Sequence, residues 1–239
     1  HPERLALTFG DQSLSYAALA LQVRNFAAGV CKLGLQRGER IGIWLDKRFE
    51  PVVASFVTAA AGCVFVPLNP LLKPEQVGYI LRDCNVRLLV TSAERLALIA
   101  SVLPECVDLQ HLVSTGDAGA ATFPGVAQHG WAAFVSSGDV STHRVIDTDV
   151  LAILYTSGST GRPKGVVLSH RNMVAGAASV ASYLDNGPDD TILAALPFSF
   201  DAGFSQLTTA FHAGARVALI NYLVPKDVLN AVVKERVTG

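Results

Sequence analysis

The sequence predicts an α/β fold, layered α/β/α, with a mostly parallel sheet. Half of the 239 residues are apolar and 16% are charged, which is the composition of a chain with a large core and excludes a disordered one. Short apolar runs alternate with longer segments whose apolar residues recur every three or four positions. Such alternation is typical of βαβ units, in which helices cover the faces of parallel strands.

The first half of the chain opens with a helix that starts at Ser15. Its apolar residues from Leu19 to Leu33 fall on one helical face, and Gly34 follows them as a stop signal. Pro74 marks the first turn of a later helix, a position that proline favours. Strands and helices are predicted alternately at 40–45, 49–61, 64–66, 74–84, 87–90 and 94–103.

The pattern weakens over 116–138, which is rich in Gly, Ala and Ser, and we expect irregular or edge structure there. It then resumes with two strands and a helix that Ser169 is placed to cap. These three elements are predicted at 149–155, 165–168 and 170–184, and strand, helix, strand and helix follow at 191–196, 204–212, 216–220 and 225–237.

One uncharged stretch, 51–68, is as long as a membrane span. It contains Ser55, Thr58 and Gly62 and is closed by Pro67, which argue against insertion. We interpret it as most of a buried helix at 49–61, a break at Gly62 and a core strand at 64–66. No transmembrane segment is predicted.

Charge and cysteine content narrow the classes of function. Nineteen Lys and Arg against twenty Asp and Glu give a net charge of −1, and no segment collects basic residues into a stripe, so a nucleic-acid partner is not expected. The cysteines form no CxxC pair and lie among apolar residues. We expect buried thiols in a reducing, cytoplasmic compartment, with neither disulfides nor a metal site.

The segment with the clearest chemistry is 154–165, LYTSGSTGRPKG, which lies between two predicted strands. Its glycines permit close backbone approach, so consecutive N–H groups can converge on an anion, and Lys164 adds a charge suited to phosphate oxygens. It departs from the Walker A pattern, because Pro163 precedes the lysine and Gly165 follows it. The residues alone leave two interpretations open, a phosphate-binding loop and an ordinary hairpin turn.

The run Thr156-Ser-Gly-Ser-Thr-Gly-Arg-Pro-Lys-Gly165 resembles, position by position, the phosphate-loop signature of AMP-forming adenylating enzymes. That superfamily includes acyl-CoA synthetases, amino-acid-activating domains of peptide synthetases and firefly-type luciferases. Three further segments resemble family motifs in the same order: 14–19 (LSYAAL), 61–70 (AGCVFVPLNP) and 197–201 (PFSFD). Ala18 stands where the first motif usually has Glu, a change that removes a capping interaction and no chemistry.

The resemblance implies that residues 1–239 are the N-terminal portion of the family's AMP-binding large domain. The rest of that domain and the small C-terminal domain are expected beyond Gly239, together with the groups for adenine, ribose and Mg²⁺ and the catalytic lysine. We therefore expect no catalytic residue in this chain and no adenylation by the chain alone.

The implied activity is that of an acyl-CoA synthetase. A carboxylate attacks the α-phosphate of ATP to give acyl-AMP and pyrophosphate, and coenzyme A then takes the acyl group. By position, the candidates that clamp the pyrophosphate are Thr156, Ser157, Gly158, Ser159, Thr160, Gly161 and Lys164. An amino-acid or fatty-acyl adenylating domain that loads a carrier protein, and a non-catalytic binding fragment, are the alternatives.

Three residues bear on the choice of substrate. Phe200 matches an aromatic position that lines the family's acyl site, although Phe at the start of a helix is often a core residue. Asp201 matches an aspartate that pairs with the substrate amine in amino-acid-activating relatives, and a helix N-cap is its structural alternative. Asn69 stands where peptide-synthetase domains usually have Asp, which favours an acyl-CoA ligase. The identity of the acid is not specified.

Overall fold

The computed structural model describes residues 1–116, 122–135, 143–156 and 163–239. The strands are β1 (Leu5–Phe9), β2 (Gln12–Ser15), β3 (Arg40–Trp44), β4 (Val64–Pro67), β5 (Val86–Ser92), β6 (His111–Thr115), β7 (Ala127–Gly130), β8 (Val150–Thr156), β9 (Lys164–Ser169), β10 (Thr191–Ala194) and β11 (Arg216–Leu219). The α-helices are α1 (Tyr16–Lys32), α2 (Phe49–Ala60), α3 (Pro74–Asp83), α4 (Ala93–Ile99), α5 (Trp131–Val135), α6 (His170–Tyr183), α7 (Asp201–Ala213) and α8 (Pro225–Glu235).

The strands form two sheets. A seven-stranded sheet has the order β7-β6-β5-β3-β4-β8-β9, and a four-stranded sheet has the order β10-β11-β1-β2. Neighbouring strands are parallel except for β8–β9 and β1–β2, each of which is an antiparallel pair at a sheet edge. The predicted α/β class with mostly parallel pairing is confirmed, and the structure divides the strands between two sheets.

A shared core holds the two sheets together. Helices α1, α2 and α7 contribute to one buried cluster that includes strand residues of both sheets. At its centre Phe204 of α7 lies 4.8 Å from Phe65 of β4 and 6.3 Å from Phe56 of α2, measured between ring centroids. A second cluster covers the other face of the larger sheet with α3 and α4.

The uncharged stretch 51–68 has the predicted structure. Helix α2 is followed by Gly62, whose φ of +75° lies in the left-handed region that glycine favours, and β4 is buried along its whole length. A Cβ at residue 62 would also lie 2.8 Å from the Cβ of His143. None of the described helices is both long and apolar enough to cross a membrane.

Several short elements were not predicted. The antiparallel pair β1–β2 precedes the first predicted helix, and β6 carries polar residues among its five. Within 116–138 the described residues include an isolated bridge between Phe123 and Val126, the edge strand β7 and the short helix α5. The expectation of irregular or edge structure is therefore met except at α5. These elements are too short to show a periodic pattern in the sequence. They form because of contacts with other parts of the fold.

All four cysteines are free thiols. Cys63, Cys84 and Cys106 are buried, as predicted, whereas Cys31 is only partly buried. Burial raises the pKa of the Cys63 thiol to about 12, which keeps it protonated and unreactive at neutral pH.

Candidate functional site

The signature segment joins the antiparallel strands β8 and β9. Thr156 and Lys164 are cross-strand partners where the two strands leave the sheet, and Thr156 Oγ1 donates to the carbonyl oxygen of Lys164 at 3.5 Å. Ser157, Gly158, Ser159, Thr160 and Gly161 lie outside the described residues. The two strands predicted on either side of the signature are present.

Gly165 has a packing role at the start of β9. It pairs with Tyr155 across the two strands, and a Cβ at residue 165 would lie 2.6 Å from Cγ2 of Ile153. Only a residue without a side chain allows this approach without displacing β8. The last glycine of the signature therefore sets the spacing of the strands that carry the loop.

Thr156, Phe200 and Asp201 meet at one cavity. The cavity has a volume of about 180 Å³ and is also lined by Ser199 and by aliphatic side chains of β8 and β9. Phe200 is 44% exposed, so it is available to a ligand and is not a core residue. The structure thus brings together the start of the phosphate signature and both candidate substrate residues, which are distant in sequence.

Asp201 begins α7 and is not its N-cap. The N-cap is Phe200, whose side chain makes no capping hydrogen bond, so the structural alternative considered for Asp201 is wrong in this respect. A carboxylate in the first turn is stabilised by the positive end of the helix dipole. Among the described residues, no cation forms an ion pair with Asp201.

Tyr155 fixes the end of β8. Its hydroxyl donates to the Asp83 carboxylate at the end of α3 and lies 3.1 Å from Cys84 Sγ. Burial and these two neighbours raise the pKa of Tyr155 well above its usual range, so the hydroxyl stays a proton donor. The residue directly before Thr156 is therefore anchored to a helix on one face of the larger sheet.

The segment before Asp201 is held by α7. Gln206 Nε2 donates to the carbonyl of Leu193 at 2.7 Å, and its Oε1 accepts from the N–H of Leu196 at 3.1 Å. Ser199 is 5% exposed, and its Oγ has no hydrogen-bond partner among the described residues. One side chain on α7 thus orders the backbone that leads to Phe200 and Asp201.

A larger cleft of about 380 Å³ lies at the carboxyl ends of β3, β4, β10 and β11, the edge where α/β sheets commonly bind ligands. Asn69 lines this cleft. Its Oδ1 accepts from the N–H of Leu71 at 2.9 Å, a local turn that asparagine favours. The choice of Asn at residue 69 therefore has a structural explanation besides the substrate preference predicted from it.

Candidate metal ligands are sparse in the described ranges. No group of three or more His, Cys, Asp or Glu side chains is placed to hold a metal ion there. His111 Nδ1 and His129 Nε2 are 3.3 Å apart on neighbouring strands. We assign no Mg²⁺ ligand to the described part of the chain.

Residues 1–239 match the sequence profile of the family described as AMP-binding enzyme. The chain belongs to the AMP-binding enzyme family. It is 36% identical to an L-proline--[L-prolyl-carrier protein] ligase of Streptomyces coelicolor over 225 residues, which are 92% of this chain and 42% of that protein. It is 30% identical to tyrocidine synthase 3 of Brevibacillus parabrevis, over 95% of this chain and 3% of that protein.

The fold also has a solved counterpart among AMP-binding enzymes. The crystal structure of the anthranilate CoA ligase AuaEII in complex with anthranoyl-AMP superposes with a TM-score of 0.90 and 25% identity, covering 99% of this chain and 46% of that one. This chain therefore spans less than half the length of each of these three proteins. Membership in the AMP-binding family and the fold predicted from the signature are both confirmed.

Sequence reasoning missed the residues that support the site. Tyr155 belongs to the apolar run before the signature, and Gln206 is one of several polar residues on its helix. Neither forms a recognisable pattern with its sequence neighbours, because the partners of each belong to other elements. Their roles follow only from tertiary contacts.

Proposed function

We propose that the protein containing this chain uses ATP to adenylate an amino acid and then transfers it to the thiol of a carrier protein. In the first step a carboxylate oxygen bonds to the α-phosphorus and the bond to pyrophosphate breaks. In the second step the thiol sulfur bonds to the acyl carbon, which releases AMP and leaves a thioester.

The observation that carries the amino-acid assignment is the position of Asp201. Its carboxylate borders the cavity that also contains Thr156, at the N-terminus of α7 and without an ion-pair partner among the described residues. A substrate ammonium group would supply a cation for this carboxylate through a charge-assisted hydrogen bond. The prolyl-carrier protein ligase named above supports the same substrate class.

For the leaving group, we propose that Thr156, Ser157, Gly158, Ser159, Thr160, Gly161 and Lys164 hold pyrophosphate. Lys164 is exposed at the start of β9, where its ammonium group can reach a phosphate without first breaking an ion pair among the described residues. Charge that develops on the leaving oxygens is stabilised by such preorganised donors. Mg²⁺, when bound to ATP, would neutralise further phosphate charge.

An acyl-CoA ligase is the second candidate. Asn69 favours it in sequence, as does the likeness to a CoA ligase that binds an aryl acyl-adenylate. In this case coenzyme A replaces the carrier protein and Phe200 packs against an apolar acid. We also propose that residues 1–239 form only the N-terminal portion of the catalytic domain, so that the isolated chain makes no acyl-AMP.

The test is pyrophosphate exchange into ATP by the protein at its full natural length, over a panel of amino, aryl and fatty acids. We expect exchange with an amino acid, and a thioester with carrier protein and none with coenzyme A. Exchange only with acids that lack an amino group, followed by formation of a coenzyme A thioester, would instead support the acyl-CoA ligase.

The variant Asp201→Asn sharpens this test. Loss of a charge-assisted contact to the ammonium group should raise the KM for the amino acid by at least about 30-fold, which corresponds to roughly 2 kcal/mol. Glu75→Gln, in the first turn of α3, removes an equivalent helix-terminal charge and should leave that KM unchanged. Equal effects of the two variants on this KM would mean that Asp201 only stabilises the N-terminus of α7 and does not bind the substrate.

A further inference from the structure

Lys47 connects the two sheets beside the cleft. It follows β3 in the larger sheet, yet its Nζ donates to the carbonyls of Ala194 and Ala195 at 2.9 and 2.6 Å, with Leu196 O at 3.4 Å. These carbonyls lie at the carboxyl end of β10 in the smaller sheet. A single ammonium group therefore provides hydrogen-bond donors for the backbone carbonyls at the end of β10.

The backbone of Lys47 makes a second connection. Its N–H donates to Asn221 Oδ1 at 3.2 Å, and its carbonyl accepts from Asn221 Nδ2 at 2.7 Å. Asn221 follows β11, so Lys47 contacts the ends of both β10 and β11. The Tyr222 ring centroid lies 5.9 Å from Nζ and adds a favourable face for the cation.

The three carbonyls directly precede the segment that carries the candidate substrate residues. Pro197, Phe198 and Ser199 follow Leu196, and Phe200 and Asp201 come next. Gln206 binds the same backbone from α7, so the segment is held on the α7 side by an amide and on the cleft side by the Lys47 ammonium. Loss of either contact frees one end of this segment.

We propose that Lys47 is a positioning residue for the acid-binding site, which it orders by holding the backbone before Phe200 and Asp201. This role rests on the proposed function, because it concerns the cavity assigned to the substrate. Lys47 is not among the residues that line the cavity around Phe200 and Asp201, and its contacts are with the backbone that leads to them. Its removal should therefore affect the acid and spare ATP.

Protonation of Lys47 supports the same role. Burial lowers the pKa of Lys47 to about 8, and the other titratable groups that line the cleft are Asp46 and Tyr222. Asp46 is paired with Arg95 at 2.8 Å. Above pH 8 Lys47 loses its charge and one of its three N–H donors, which weakens its hold on the segment.

The experiment compares Lys47→Met with Lys47→Arg and with Lys226→Met, a control at an exposed lysine, in the protein at its full natural length. Met keeps the volume of the stem and removes the donors, whereas Arg keeps donors and charge. We expect Lys47→Met to raise the KM for the acid at least tenfold and change the KM for ATP less than twofold. Lys47→Arg should restore the acid KM to within threefold of the original.

A pH series adds a readout that packing alone would not change. The KM for the acid in the original protein should rise above pH 8, and with the same substrate this rise should be smaller in Lys47→Arg, which stays charged. Equal loss of kcat, acid binding and ATP binding in Lys47→Met, with no rescue by Arg, would mean a purely structural residue and would overturn the proposal.

Amide hydrogen exchange separates this proposal from the proposed function. In Lys47→Met the amides of Leu196, Phe200 and Phe204 should exchange at least tenfold faster, while those of β5 stay unchanged. If the original protein activates no acid, the proposed function fails and these rates alone decide the positioning role. Unchanged rates at all three amides would overturn it in either case.

Discussion

Gly203 lies against the backbone of Pro197, so close that a Cβ at residue 203 would stand 1.9 Å from the Pro197 carbonyl oxygen. Both residues flank Asp201, one in the first turn of α7 and the other in the segment that leads to it. The contact is with backbone atoms, which cannot rotate away as a side chain can. The course of the chain around Phe200 and Asp201 therefore depends on the absence of a side chain at residue 203.

Replacement Gly203→Ala should destabilise the protein and displace the site. We expect a loss of about 1–3 kcal/mol in the free energy of unfolding, as for other overpacked positions, measured by urea denaturation. Gly176→Ala in α6 is the control, since nothing lies within 4 Å of a Cβ there and alanine should stabilise an exposed helix by about 0.5–1 kcal/mol. Stabilisation by both changes would contradict the contact.

Lys164→Ala should weaken ATP binding. The Lys164 ammonium is exposed at the start of β9 and is one of the two cations of the signature, beside Arg162. We expect the KM for ATP to rise at least about tenfold, which is roughly 1.4 kcal/mol. The KM for the acid should change little. Lys226→Ala is the control, since it also removes an exposed lysine. Similar KM values for ATP in both variants would mean that the signature is an ordinary turn and does not bind phosphate.

Tyr155→Phe removes the hydroxyl that binds Asp83 and leaves the ring in place. Because the hydrogen bond is partly exposed, we expect a loss of about 1 kcal/mol in the free energy of unfolding. Tyr183→Phe tests the same chemical change at a tyrosine that is 70% exposed, where the loss should stay below about 0.5 kcal/mol. No difference between the two variants would mean that Tyr155 does not anchor β8.

The His111–His129 pair predicts that stability falls in mild acid. Burial lowers the pKa of both imidazoles, and the neighbouring His129 lowers that of His111 further. The unfolded chain then binds more protons than the folded one once the pH falls through about 6.5, the usual pKa of histidine. The free energy of unfolding should therefore decrease from pH 7.5 to 5.5, and less so in His129→Gln; an unchanged decrease in that variant would exclude the pair.

Much of the framework was predictable because it depends on local patterns. Ser169 caps α6 as predicted, and Ser15, the predicted start of the first helix, is the N-cap of α1; each accepts from the N–H three residues later. Gly62 ends α2 in a conformation that glycine favours. The signature 156–165 carries enough specific positions to identify the family, and its flanking strands followed from their apolar runs.

What could not be predicted depends on contacts between distant residues. The division into two sheets depends on the pairing of β1 with β11, which no local sequence pattern predicts. The same holds for Lys47, one of three consecutive charged residues between a strand and a helix, whose acceptors follow it by about 150 positions. Asp201 was recognised by its motif, but its place as the first helical residue required the backbone.

The pairing of β1 with β11 has a consequence for synthesis on the ribosome. Every strand of the larger sheet is encoded between Arg40 and Ser169. In contrast, Thr8 of β1 and Arg216 of β11, whose side chains share a hydrogen bond, are 208 positions apart. At roughly 5–20 residues per second, the first strand waits roughly 10–40 s for its parallel partner to emerge. The nascent chain can therefore complete the larger sheet while the edge of its N-terminal hairpin is still unpaired. During this interval a chaperone would have the most exposed strand edge to protect.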